Sequence, residues 1–429
     1  MAAGTADHRL VADVHQVLRC RDGQAAPDQI TAISPSRAIG GGILVGWIKV
    51  MNEPPVAALP FDPDDLLSGL KTWVECESPT FDAAAVNRMM DVASRQLALM
   101  GARLDRIPGR MGFGDCVRAR FAHPRTEEPG VLILGHLDTV HPVGTLDQFS
   151  WRREGNRCFG PGVLDMKGGN YLALEAIRHL QQTSWPTPLP ITVLFTSDEE
   201  AGSPSTRDLI EAEAARHKYV LVPEAGRRDG GVVTGRYPVG RFNLAAIGQP
   251  SHAGLRLSEG HSAIREMARQ IIVIEEMTTD ESTFSVGVVQ GGKWVNCVAT
   301  MCRAEVLNVS KSEVAFSRSR ERILALRSAN PNVNLVVEPS ATRPFWTTSD
   351  KDWALYAEAS AIAQRFGFEI PHQYSAGGSD ANFTGAMGIA TLDGLGPRGD
   401  HPHTLEEHLI VESLPERGHL LAGLLAALK

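Results

Sequence analysis

The chain has 429 residues, 43% hydrophobic and 21% charged, enough for two or three globular domains with a large core. Its formal net charge of −8 removes the electrostatic drive toward nucleic acid or an anionic membrane, and no apolar run reaches the roughly 18 residues of a membrane span. Six scattered cysteines without a C-x-x-C pair suit reduced thiols in a cytoplasmic protein.

Residues 1–50 show no sustained periodicity and no signal-peptide pattern. They are expected to be a disordered extension, with Met51 as an alternative start. Helical spacing begins after the turn residues Asp62, Pro63 and Asp64, through Leu66, Leu67, Leu70 and Trp73, and repeats over residues 87–100. Residues 131–134 form a continuous apolar run closed by Gly135, as in a strand buried on both faces. A helix over 168–181, a strand over 191–195, a helix over 206–217 and a strand over 219–222 follow. Alternation of this kind predicts a parallel sheet in an α/β layer.

The pattern changes near Gly235. Residues 242–247, 285–289, 300–306 and 333–337 alternate in polarity, with helices over 262–276 and 311–329. That predicts a small α+β layer with an antiparallel sheet. The α/β pattern returns after Pro344, with a helix over 352–366, an apolar stretch over 388–392 and a final helix. The expected organisation is one mostly parallel α/β domain over 51–235 and 344–429, interrupted by a smaller α+β domain over 236–343.

Open α/β sheets bind ligands beyond the carboxyl ends of their strands. The first strand runs into Gly135-His136-Leu137-Asp138, the second into Asp198-Glu199-Glu200, the third into Pro223-Glu224. A glycine-rich turn, residues 160–169, carries Asp165, and Asp400-His401-Pro402-His403 lies near the end. Any one of these has an ordinary explanation as a turn or cap residue. Three successive strands delivering acid or imidazole at one sheet edge do not. Imidazole with carboxylate suits zinc, and five ligands are too many for one catalytic zinc but right for a pair sharing a carboxylate. Glu199 is then left over beside a ligand, where a general base is required. Asp138 can hold the His136 imidazole in one tautomer.

In chain order the motifs are His136-Leu137-Asp138-Thr139-Val140, residues 160–169, residues 196–202, Gly377-Gly378-Ser379-Asp380-Ala381, and His403 followed by Glu407. Together they resemble the M20 family of metallopeptidases, which includes glutamate carboxypeptidases, acetylornithine deacetylase and succinyl-diaminopimelate desuccinylase. The resemblance implies a zinc-exopeptidase-like catalytic domain with an inserted lid and dimerisation domain. It implies two divalent ions, zinc first and cobalt or manganese as alternatives. Asp165 would bridge them, with His136 and Glu224 on one ion and Glu200 and His403 on the other. His401 is the rival to His403, but only His403 has Glu four residues later. Glu199 would be the base and Asp138 its supporting acid.

His252, in Ser251-His252-Ala253-Gly254, would polarise the scissile carbonyl, often across a dimer. Asn296, after Gly291-Gly292, and Gly378 would lie near the substrate. Arg343, in Thr342-Arg343-Pro344-Phe345, which resembles the R-P-x-F segment of glutamate carboxypeptidases, would grip a substrate carboxylate or make an interdomain ion pair. The implied activity is release of a C-terminal amino acid from a small peptide, with an N-acyl-amino-acid deacylase as the alternative and a non-catalytic binding protein as the distant one. A homodimer through the lid is implied. Three departures bear on substrate: His261 where the family has Asn, Glu305-Val306-Leu307 where it has Asp-x-Arg, and His408 where it has an aromatic residue.

Overall fold

Asp62 caps the first helix by accepting from the Asp64 and Asp65 amides, Pro63 opens it, and Leu66, Leu67, Leu70, Trp73 and Val74 form its buried face. The structure is a computed structural model that describes residues 59–429, so the expected extension and the Met51 start lie outside the described residues. The first segment comprises α1 (Pro63–Val74), α2 (Ala83–Leu99), β1 (Arg103–Ile107), β2 (Cys116–Arg120), β3 (Gly130–His136), β4 (Arg152–Glu154), β5 (Arg157–Phe159), α3 (Gly168–Gln182), β6 (Ile191–Thr196), α4 (Arg207–Ala214), β7 (His217–Val222) and β8 (Val232–Arg236). The middle segment comprises β9 (Val239–Ile247), α5 (Ala263–Glu275), β10 (Ser282–Gly291), β11 (Met301–Ser310), α6 (Glu313–Leu324) and β12 (Asn334–Arg343). The last comprises α7 (Asp350–Arg365), β13 (His372–Ser375), α8 (Ala381–Ala386), β14 (Ala390–Asp393), β15 (Gly399–Asp400), β16 (His408–Ile410) and α9 (Ser413–Ala427).

The large sheet has the order β1-β2-β6-β3-β7-β14-β8-β13. Its centre is parallel, through the β6–β3, β3–β7 and β7–β14 pairs. It turns antiparallel where β2 meets β6 and β1 meets β2, and again where β8 meets β14. The sheet is therefore mixed, with the expected parallel core. Every residue of β3 and β6 is buried, because helices cover both faces.

Strands β1 and β2 do not stand out in the sequence. Their arginines look like surface loops, yet Arg118 and Arg120 pair with Asp105, and Arg118 also pairs with Glu213. Satisfied charge lets a polar segment join a sheet.

The middle segment folds as an antiparallel sheet, order β10-β11-β9-β12, with α5 and α6 packed against it. Burial alternates along β11, and its inward residues Cys302, Ala304 and Val306 form a separate core with Phe242, Leu244 and Met267. A third, small sheet, β15-β16-β5-β4, ties the chain near residue 400 to the loop before α3. Among the described residues no helix is long and apolar enough to cross a membrane.

Candidate metal centre and active site

The central parallel strands aim their carboxyl ends at one place. β3 ends on His136; β6 leads into Glu199 and Glu200, and β7 into Glu224. Helix α3 starts close beneath them. A Cβ on Gly169 would sit 1.7 Å from the Pro223 carbonyl oxygen, so only glycine allows this approach next to Glu224.

The Asp165 carboxylate stands between two imidazoles. Its Oδ1 lies 3.3 Å from His136 Nε2 and its Oδ2 lies 3.2 Å from His403 Nε2. Glu224 Oε1 completes the His136 side at 3.6 Å, and Glu200 Oε2 completes the His403 side at 3.2 Å. Ligand atoms of His136, Asp165 and Glu200 fall within 4.8 Å of one another. His136 Nε2 is buried and has no hydrogen-bond partner, the condition of a ring nitrogen made ready for a cation. His401 instead approaches Asp400 at 3.7 Å and packs on His408.

Electrostatics point the same way. Burial, then the charge of Asp165, pushes Glu200 up to about 7 and Glu224 up to about 8. Hydrogen bonds that its ring donates to Asp165 and Glu200 hold His403 up at about 11. Burial opposes charge on His136, but Asp138, Asp165 and Glu224 outweigh it and raise its pKa. Protons fill the role a cation would take, and a divalent ion would displace them. The donor set therefore fits divalent metal.

The supporting shell differs from the expectation in one respect. His136 Nδ1 lies 2.9 Å from the main-chain oxygen of Asp138, nearer than the 3.4 Å to its carboxylate. The Asp138 carboxylate accepts instead from the Glu199 and Glu200 amides, at 3.2 Å each, and from the Thr80 hydroxyl at 2.8 Å. Asp138 thus fixes the Asp-Glu-Glu turn as well as the histidine.

Glu407 was visible only as the last letter of a motif. Its buried carboxylate accepts from the amides of Gly162, Leu164 and Asp165 at 2.8–3.0 Å and lies 3.1 Å from His141 Nε2. It holds the loop that presents Asp165. Replacing it, Glu407→Ala, leaves three N–H groups of that loop without an acceptor, at about 1–3 kcal/mol each. We expect a lower Tm and roughly 10- to 100-fold weaker metal binding, measured by calorimetric titration. Wild-type affinity in this variant would remove Glu407 from the supporting shell.

Arg343 lies in the site, already paired with two of its acids. Its guanidinium donates to Glu199 Oε1 at 2.6 Å, to the Glu199 main-chain oxygen at 2.9 Å and to Asp380 Oδ1 at 3.0 Å. Gly378 lines the same pocket, and a Cβ there would meet Arg343 Cδ at 2.8 Å, so the missing side chain makes room for the guanidinium. Glu199 is buried; burial raises its pKa, with Arg343 opposing.

The pocket in front of Asp165 and Glu199 has a volume of 390 Å³ and is also lined by Arg227, Arg236 and Arg241. Arg236 donates through Nε to Asp393 and through Nη1 to the Gly377 and Gly378 carbonyls. Arg241 makes one hydrogen bond, to the Glu200 main-chain oxygen at 2.8 Å, and carries further donors toward the pocket. Nothing in its sequence surroundings marks it.

His252 and Asn296 lie together in the middle segment but not in the pocket lining. The Asn296 main-chain oxygen accepts from the Ala253 amide, and His252 is exposed. His252 Nδ1 accepts from the Gly254 and Leu255 amides at 3.2 Å each, so the ring proton is on Nε2.

A mixed sheet with a parallel core whose strand ends carry an imidazole and carboxylates, with an antiparallel layer inserted in the chain, is the architecture of a metal-dependent amide hydrolase. The chain belongs to peptidase family M20/M25/M40, whose profile matches residues 132–427. It is 27% identical over 310 residues to carboxypeptidase G2 of Pseudomonas sp. (strain RS-16), across 69% of this chain and 73% of that enzyme. It is 29% identical over 188 residues to acetylornithine deacetylase of Myxococcus xanthus, across 40% of this chain and 47% of that one. A tripeptidase from Staphylococcus aureus shares the fold with a TM-score of 0.64 at 18% identity, covering 85% of this chain and 98% of the other. Human carnosine dipeptidase 1 does so with a TM-score of 0.66 at 16% identity, covering 85% and 96%. The protein is a hydrolase acting on amide bonds.

Proposed function

We propose that this protein is a two-metal exopeptidase that releases a C-terminal amino acid from a small peptide, with N-acyl-amino-acid deacylation as the alternative. The observation that carries the two-metal reading is Asp165, which turns one oxygen toward His136 and the other toward His403. His136 and Glu224 would hold one ion, His403 and Glu200 the other, with zinc the first choice for this nitrogen and oxygen set. When bound, the ions would polarise the scissile carbonyl and acidify the attacking water toward a pKa of roughly 7.

The protein's own groups divide the remaining work. Glu199 takes a proton from water as its oxygen attacks the carbonyl carbon, then delivers that proton to the nitrogen as the C–N bond breaks. Arg343 keeps the Glu199 carboxylate oriented. Arg241, with donors to spare, is our candidate for the substrate carboxylate. Arg241→Ala should raise KM for carboxylate-bearing substrates about tenfold or more while kcat changes little, a loss of binding common to ground and transition states. A KM that stays put would return that role to Arg343.

His252 would serve from a second copy, its Nε2–H donating to the developing oxyanion, with Asn296 beside it. The middle segment, residues 236–343, would then be the lid and dimerisation domain. In support, β10 is an edge strand with exposed Val288 and Val289, and α5 exposes Ile264, Ile272 and Val273. The cytoplasmic location expected from the cysteines belongs with this proposal. A screen of dipeptides and N-acyl amino acids with zinc- and cobalt-loaded protein, reading released amine, tests the activity. Metal bound at both sites with no amine released from any of them would leave the non-catalytic reading.

A further inference from the structure

A second groove adjoins the catalytic pocket, and Glu200 lines both. Its volume is 440 Å³, and its apolar wall is Pro79, Phe81, Val140, Pro142 and Val143. Phe81 is 84% exposed, Val143 54% and Val140 41%, unusual for three neighbouring apolar side chains unless something covers them. They do not hang on loose loops. The Thr80 amide donates to the Thr139 carbonyl at 3.1 Å and the Thr139 amide to the Ser78 carbonyl at 2.9 Å. The Ser78 hydroxyl donates to the Leu137 carbonyl at 2.7 Å, and the Thr80 hydroxyl holds Asp138. Two polar groups at the rim are already engaged: Thr80 on Asp138, and Asp82 as the cap of α2.

A substrate whose scissile carbonyl sits at Glu200 must place one half on each side. The arginine-lined pocket suits the half that carries a carboxylate. Resting on the deacylase form of the function proposed above, its stated alternative, we infer that the groove of Phe81, Val140 and Val143 binds the acyl half. The preferred substrate is then an amino acid carrying an extended apolar acyl group on its nitrogen. A rigid, already exposed apolar wall binds such a group with little ordering cost.

The test is an acyl series on one amino acid, from N-acetyl to N-hexanoyl, with the zinc-loaded full chain. Each added methylene should raise kcat/KM about threefold while the groove fills, roughly eightyfold across the series. The double variant Phe81→Ala with Val143→Ser should collapse that ratio to within a few-fold of one, and Phe81→Trp should restore it in the Val143→Ser background. Calorimetry with hexanoate and acetate supplies a readout independent of turnover: wild type should prefer hexanoate, and the double variant should not. Hydrolysis with a flat series, or a ratio the substitutions leave unmoved, overturns the groove while sparing the proposed activity. A hexanoate preference erased by the substitutions, without hydrolysis of any amide, upholds the groove and sinks the activity. If the substitutions instead dissociate a dimer and leave the acyl ratio intact, the patch is a contact between copies and the inference fails.

Discussion

Glu199→Gln should lower kcat by about 10²- to 10⁴-fold while leaving the fold and metal content in place, because it removes a proton carrier without removing a proposed ligand. The geometry makes this a clean substitution. The amide oxygen can still accept from Arg343, which now reaches Glu199 Oε1 at 2.6 Å, and the main-chain contact at 2.9 Å is untouched. The Glu199 amide stays bound to Asp138. The check is steady-state hydrolysis beside metal analysis of the same preparation. A variant that binds metal normally and keeps full activity would falsify the assignment of Glu199 as the base. Activity lost together with metal would mean that Glu199 is a ligand, and the division of labour between the two adjacent glutamates would have to be redrawn.

Asp165→Ala should have the largest effect on metal binding, since the proposed centre has this one carboxylate serving both halves. The expected stoichiometry falls from two ions to none retained after desalting, and activity falls with it. Glu224→Ala and Glu200→Ala should each weaken one ion far more than the other. Equal loss of both ions in all three variants would contradict the pairing by side. The same centre predicts a pH dependence of metal affinity. Glu200 and Glu224 are pushed up to about 7 and about 8, so below those values protons compete with the ions. Apparent affinity should therefore rise with pH through that range and protons should be released on binding, readable by calorimetry in buffers of different ionisation enthalpy.

Chain-local features were readable in advance. The continuous apolar runs of β3 and β6 mark strands covered on both faces, and the acids and imidazole that follow them sit where such strands end. Alternation along β11 marks a sheet with one solvated face. Spacing of this kind depends on a few neighbouring residues and survives as pattern. What escaped was written in charge or in short pieces. β1 and β2 are polar because their arginines find acids on other segments, and β15 and β16 hold only two and three residues.

The amino-acid sequence by itself determined the fold class and the chemical types at the strand ends, because periodicity and motif order are properties of the chain. It could not determine pairing between distant residues. That Arg343 pairs with Glu199, 144 positions away, while Arg241 donates only to the Glu200 main-chain oxygen, follows only from closure of the fold. So does the grip of Glu407 on the loop of Asp165, 242 positions away. So does the meeting of the loops after α1 and β3 that sets an apolar groove beside Glu200. A guanidinium or carboxylate has one identity in sequence but several possible partners. Which one it takes is decided by where packing of the core leaves it and by the cost of burying it unpaired.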